Sequence, residues 1–254
     1  MSAALEGKVC LVTGASRGIG AAIAVALAGN GARIAVHYGR NQEKALEVVG
    51  RLHGNGHFTI TADLEQPQNA RRIVDETLAH AGHLDILVNN AGIYEPHPPL
   101  EVDGAAWLEN WRRTLAVNLQ SPAALCHAAA SVMAEQGSGR IINIGSRGAF
   151  RGEPECPAYG ASKAGLHAMS QSLAIALAPA NVLVYAVAPG FVATDMAEEL
   201  LEGEGGDAIR AQSPFRRVAR PEEIAEVVCF LASSEGQFLS GSIVDVNGAS
   251  YLRH

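Results

Sequence analysis

An alternation constrains this chain more than any other feature. Apolar runs of strand length recur at 9–13 (VCLVT), 33–38 (RIAVHY), 58–62 (FTITA), 85–91 (DILVNNA), 140–146 (RIINIGS), 182–188 (VLVYAVA) and 242–248 (SIVDVNG). Between them lie segments with helical apolar spacing, at 18–31, 42–54, 69–82, 104–136, 157–178 and 222–234. Strict strand–helix alternation predicts an α/β fold, a doubly wound parallel sheet of about seven strands with helices on both faces. The length, 254 residues, suits one such domain over 1–254. The loosest stretch, 195–217, carries GEGGD and many charges, and reads as short helices and loop on one rim. With the residues just before it, it marks a substrate-loop region near 191–217.

Several function classes are excluded at the same level. The formal charge is −7 with no basic run, so neither nucleic acid nor an anionic membrane is an expected partner. The first strand begins too early to leave room for a signal peptide, and no apolar run approaches spanning length. Cys10, Cys126, Cys156 and Cys229 are scattered, with no CxxC, as in a reduced cytoplasmic protein. Cys156 lies three residues before Tyr159 and reads as a neutral loop thiol rather than a reactive one. His53/His57 and His80/His83 lack a partner cluster at metal spacing and read as solvated surface, so no metal is expected.

Two motifs carry chemistry. The first strand runs into TGASRGIG, with Gly14, Gly18 and Gly20 at a strand-to-helix turn. Small residues let a backbone approach a pyrophosphate, and a helix N-terminus offers free N–H groups and partial positive charge. The alternative is a tight structural turn. The second motif is Ser146, then Tyr159, then Lys163. Tyr159 and Lys163 are four apart on a helix that begins near Pro157, so phenol and ammonium emerge on one face. A free phenol titrates near 10, and a neighbouring cation is expected to lower that value toward working pH. Ser146, closing an apolar strand, can donate a hydrogen bond to the same reacting oxygen. Taken alone, Y-x-x-x-K is also an ordinary helical pair.

TGASRGIG, NNAG at 89–92, Asn118, Ser146, Tyr159-x-x-x-Lys163 and Pro189–Gly190, in this order and spacing, resemble the short-chain dehydrogenase/reductase family over essentially the whole chain, from Gly7 to about Tyr251. The resemblance implies a Rossmann-type fold and a catalytic set of Asn118, Ser146, Tyr159 and Lys163. Tyr159 is then the general acid/base, Lys163 lowers its pKa and binds the nicotinamide ribose, Ser146 orients the substrate oxygen, and Asn118 supports a proton-relay water. It further implies that Asn90, Ala91 and Gly92 flank the adenine ribose, that Asp63 meets the adenine amine, and that Pro189, Gly190 and Thr194 contact the nicotinamide end. Ser16, Ile19, Tyr38, Leu64 and Val192 complete the implied cofactor contacts. As plain structure, Asn118 is a helix-bending residue and Asp63 a turn cap.

Cofactor choice follows from charge. An acid at the end of the second strand of a dinucleotide fold binds the ribose hydroxyls and repels a 2′-phosphate. Residues 37–42 contain no acid, while Arg17, Arg40 and Asn41 offer cations and donors, so NADP(H) is expected. Solvated surface arginines are the alternative. Gly145 stands where relatives often carry a second Ser, and Leu183 and Tyr185 stand where they often carry Arg and Asn; these two changes are expected to loosen local polar contacts. Phe150 and Tyr94 are candidate apolar walls for a substrate, and Arg151 a candidate anion contact.

The expectation is an NADPH-dependent reductase acting on a free small-molecule carbonyl, or oxidising the alcohol. Two alternatives stand beside it: a 3-oxoacyl-[acyl-carrier-protein] reductase, and a dinucleotide-binding sensor without turnover. A carrier protein is acidic, yet residues 115–138 hold no Lys or Arg and 158–181 hold only Lys163; Arg216, Arg217 and Arg220 are the available basic patch. The apolar helical segments 104–136 and 157–178 suggest a homotetramer.

Overall fold

The computed structural model describes residues 4–253, apart from the side chains of Met196, Glu199 and Leu200; the extreme ends of the expected 1–254 domain lie outside the described residues. The chain runs β1 (Val9–Val12), α1 (Gly18–Gly29), β2 (Arg33–Tyr38), α2 (Gln42–Arg51), β3 (Phe58–Thr61), α3 (Asn69–Ala81), β4 (Ile86–Asn89), α4 (Gly104–Leu115), α5 (Ser121–Gln136), β5 (Gly139–Ile144), α6 (Gly148–Arg151), α7 (Pro157–Leu177), β6 (Val182–Pro189), α8 (Asp195–Glu202), α9 (Gly206–Ala211), α10 (Pro221–Ala232) and β7 (Ile243–Val246). All seven strands pair in parallel, in the order β3-β2-β1-β4-β5-β6-β7. The order reverses direction between β1 and β4, and in open α/β sheets that switch point opens a crevice at the carboxyl ends of the strands.

Successive side chains of a strand point to opposite faces, and both faces here are apolar. Cys10, Val12, Ile34, Val36, Ile86, Val88 and Tyr185 pack under α1 and α10, while Leu11, Ala35, Leu87, Ile141 and Val184 pack under α3 and α5. Each fully buried aliphatic side chain contributes about 1.5–3 kcal/mol relative to exposure, so covering both faces with helices stabilises the sheet.

The 104–136 segment departs from a uniform helix. Between α4 and α5 the chain makes a single π turn, Ala116–Gln120. Asn118 at its centre spends its side chain off the helix: Nδ2 donates to the Ile93 carbonyl at 3.0 Å and Oδ1 accepts from the Ile93 N–H at 2.9 Å. These bonds to the loop after β4 compensate the widened turn, an arrangement that recurs at functional sites. The Leu183 and Tyr185 substitutions behave differently from each other. Leu183 joins the core, whereas the buried Tyr185 hydroxyl and the Arg140 Nε have no hydrogen-bond partner.

Candidate active site

The crevice at the switch point is a cleft of about 650 Å³. Gly14, Ser16, Arg17, Gly18 and Ile19 form one wall, and Asn90, Ala91 and Gly92 face them across it. Gly14 has φ +62°, and a Cβ there would sit 2.9 Å from Ala91 Cα, so both conformation and space demand glycine. Arg17 caps α1 without a side-chain hydrogen bond, leaving first-turn N–H groups available to an anion. Gly20 is not on the wall. A Cβ there would meet Asn90 Nδ2 and the Gly14 carbonyl at 2.4 Å; the residue makes room for Asn90, which donates to the carbonyls of Thr13 and Gly14 at 2.9 and 3.2 Å. Gly92 opens a similar recess, where a Cβ would approach Asn118 Oδ1 at 3.3 Å and Lys163 Nζ at 3.5 Å. A backbone cradle, a helix N-terminus and a recess beside a buried ammonium are the features a dinucleotide requires, and these residues fit one.

The end of β2 corrects one expectation. Tyr38 is buried in the core beneath α1 and does not line the cleft, because strand alternation sends Ile34, Val36 and Tyr38 to the same face. His37 reaches the cleft instead. Its Nδ1 accepts from the Gly14 N–H and its Nε2 donates to the Ala62 carbonyl, both at 3.2 Å, and burial holds its pKa down at about 4. Gly39, Arg40, Asn41 and Lys44 complete this rim, with no acid among them. The Asn41 side-chain oxygen is occupied as the cap of α2, accepting from Lys44 N at 2.9 Å. Lys44 reaches Asp195 at 3.7 Å. Asp63 and Leu64 line the cleft beyond the rim, and Asp63 also caps its own turn through Glu65 N.

At the other end, Ser146, Tyr159 and Lys163 converge on one wall, with Pro189, Gly190, Val192 and Thr194 nearby. Asn118 is wholly buried behind that wall rather than on it, linked to α7 through Ser162 Oγ at 3.2 Å. The expected lowering of the phenol does not occur. Burial pushes Tyr159 up to about 12, although the Ser146 hydroxyl pulls the other way. Lys163 itself is pushed down to about 8 by burial, and its Nζ is 5.6 Å from the Tyr159 ring centre, donating to the Ile144 carbonyl at 2.8 Å. Desolvating the phenolate outweighs the help of a cation that is engaged elsewhere.

The N-terminus of α7 is held by a residue that carried no sequence signal. His97 is buried; its Nδ1 donates to the Glu95 carbonyl at 2.7 Å, which leaves Nε2 to accept from the Ala158 N–H at 3.2 Å. That satisfies one of the first-turn donors one residue before Tyr159. Cys156, at the cap of the same helix, is a buried thiol pushed up to about 11 by its surroundings, hence neutral. Tyr94 stands edge-on to Tyr159 at 4.9 Å and lines the cleft. Phe150 does not line it; its ring packs on His167 and under Arg253. Arg151 is exposed and donates to Gln212, whereas its neighbour Arg147 lies on the cleft wall. The basic patch keeps a net positive charge: Arg217 and Arg220 share the single carboxylate of Glu223, at 2.6 and 3.9 Å, and Arg216 makes no ion pair among the described residues. His57 is more than solvated surface, accepting from the Ile34 N–H at 3.1 Å. Among the described residues no His, Cys, Asp and Glu cluster could hold a metal, and no helix is long and apolar enough to cross a membrane.

A glycine cradle at the switch point and a Ser–Tyr–Lys wall facing it define a dinucleotide-dependent oxidoreductase, and the chain belongs to the short-chain dehydrogenase/reductase family. The family description "Enoyl-(Acyl carrier protein) reductase" matches residues 14–249. A 3-oxoacyl-[acyl-carrier-protein] reductase of Synechocystis sp. is 37% identical over 252 residues, covering 98% of this chain and 99% of that protein. A short-chain type dehydrogenase/reductase of Picea abies is 38% identical over 256 residues, covering 96% and 92%. Among solved structures, a short chain dehydrogenase from Burkholderia cenocepacia in complex with NADP superimposes with a TM-score of 0.88 at 36% identity, covering 97% of this chain and 98% of that one.

Proposed function

We propose that this protein reduces a free small-molecule carbonyl with NADPH, or oxidises the corresponding alcohol with NADP⁺. The observation that carries this reading is the pairing, in one cleft, of the Ser146–Tyr159–Lys163 wall with a rim of Arg17, Arg40 and Lys44, of which Lys44 alone meets an acid, Asp195. Bound in that cleft, the nicotinamide cofactor supplies or accepts the hydride. Tyr159, protonated at neutral pH as any phenol is, delivers the proton to the reacting oxygen, and Ser146 orients that oxygen. Lys163, beside the Gly92 recess, holds the ribose at the nicotinamide end and carries the charge that supports the phenol once the cleft is filled. Asn118 keeps the Ile93 loop and α7 in register behind them.

The carrier-protein reading draws support from the names of relatives at 36–37% identity. Against it stands the surface of the two long helices, since the flanks of α5 and α7 carry no free cation; the patch of Arg216, Arg217 and Arg220, with Glu223 as its one paired carboxylate, is the feature that favours it. We place the protein in the cytoplasm as a homotetramer, a reading supported by exposed Leu108 and Ile175 on α4 and α7 and by Phe238 before β7. The discriminating experiment compares a 3-oxoacyl carrier protein with its free thioester analogue. Comparable kcat/KM values support the free substrate; a large carrier advantage that disappears in high salt establishes the carrier-protein role, and no NADPH oxidation with any carbonyl establishes the sensor.

A further inference from the structure

Arg147 follows Ser146 directly and is only 3% exposed, yet no carboxylate contacts it. Among the described residues no carboxylate lies within 4.0 Å of its guanidinium or of that of Arg151. Glu153 lines the same part of the cleft but stays beyond that distance, and the Phe191 ring, 5.1 Å from Arg147 Cζ, supplies only a cation–π contact. Arg147 Nη1 is sealed from water without any hydrogen-bond partner. Its Nη2 donates to Gln212 Oε1, and that same oxygen accepts from Arg151 Nη1 at 3.0 Å. One neutral amide oxygen, carried by the segment after α9, therefore receives two guanidinium groups.

A buried cation without a hydrogen-bonded partner is unfavourable; burial and the Arg151 charge disfavour its charged form, and the more distant Glu153 offsets this only in part. Arginine does not escape by losing its proton. What relieves it is an anion. A carboxylate offers two oxygens and a full charge in the planar fork geometry guanidinium groups receive best, and it matches the amide in shape. We infer that the substrate carries a carboxylate, received by Arg147 and Arg151 in the place that the Gln212 amide holds. The substrate class is then a short oxo acid and the corresponding hydroxy acid, with the reacting carbonyl at Ser146 and Tyr159. This rests on the carbonyl-reductase reading and narrows it; a carrier-bound thioester has no such group to offer.

The test uses the full chain with NADPH and a series of short 2-, 3- and 4-oxo acids, each paired with its methyl ester. The ratio of kcat/KM for acid over ester is expected to reach on the order of 10- to 100-fold for the best-fitting pair, the range of hydrogen bonds to charged groups. In Arg147→Met the ratio should fall to about one. Gln212→Glu, which leaves the guanidinium in place but fills the fork with a resident carboxylate, should lower the ratio by raising KM for the acid. A wild-type ratio of one or below, or a ratio that neither variant changes, overturns the inference while leaving carbonyl reduction standing. If neither acids nor esters oxidise NADPH, carbonyl reduction itself is tested separately with other ketones and aldehydes. The inference is then decided by calorimetric titration of the acids and esters into the NADP⁺-loaded protein, where acid-selective binding lost in Arg147→Met supports it and its absence overturns it.

Discussion

Replacing Arg40 with alanine should separate the two nicotinamide cofactors. Arg40 follows β2, lines the cleft beside Gly39 and makes no ion pair among the described residues, so its removal strips a cation without unpairing an acid. A charge-assisted hydrogen bond is worth about 1.5–3 kcal/mol, and the exposure of Arg40 lowers that to about 1–2 kcal/mol. That corresponds to a Kd for NADPH raised about 5- to 30-fold. NADH, which lacks the 2′-phosphate, should bind within about two-fold of wild type. The NADPH effect should shrink as salt rises from about 0.05 to 0.5 M, because screening reaches exposed charges first. Fluorescence titration of both cofactors into wild type and variant measures all of this. An equal loss for NADPH and NADH, or no loss for either, would refute the assignment of Arg40 to the 2′-phosphate.

Further expectations concern neighbouring groups. Gly39→Asp should move preference toward NADH, since a Cβ there meets nothing within 4 Å and the new carboxylate would face the ribose hydroxyls; unchanged kcat/KM ratios would count against it. Ser146→Ala should lower kcat by on the order of 10²–10³-fold with little change in NADPH affinity, as loss of an oxyanion donor does, checked by steady-state kinetics beside cofactor titration. His37 should make folding acid-sensitive. Its pKa is about 6.5 unfolded and about 4 folded, so the unfolded state binds the proton first; stability is complete above about pH 6.5 and falls toward pH 4, by about 2 kcal/mol at pH 5. Because His167 is held down by burial in the same window, denaturant melts at pH 7 and 5 of wild type and His37→Gln measure it; a pH dependence unchanged in the variant would contradict the buried neutral imidazole.

Much of this was legible in the chain because it rests on short-range patterning. Two-sided apolar strands and the helices between them give a parallel sheet almost directly, and TGASRGIG reads as a cradle because a strand precedes it and a helix follows it. What stayed hidden depends on which face a side chain takes or on what another segment brings to it. Tyr38 and His37 are adjacent, and the register of β2 decides that His37 meets the glycine loop. The π turn at Asn118 exists because Ile93, in a distant loop, accepts and donates. His97 and Arg147 look ordinary until α7 and the segment after α9 fold against them. That burial pushes the phenol of Tyr159 up rather than down stayed hidden too, because spacing reveals a neighbouring cation but not that its ammonium is turned to the Ile144 carbonyl.

The central claim is that Tyr159 moves the proton in an NADPH-dependent carbonyl reduction. Single-turnover stopped flow with Tyr159→Phe, preloaded with NADPH and mixed with a carbonyl that the wild type reduces, tests it directly. NADPH should bind with near wild-type affinity, while the absorbance of the reduced nicotinamide persists because hydride transfer is slowed by at least about 10²-fold, the lower range for a positioned general acid. Loss of that absorbance at close to the wild-type rate would contradict the account.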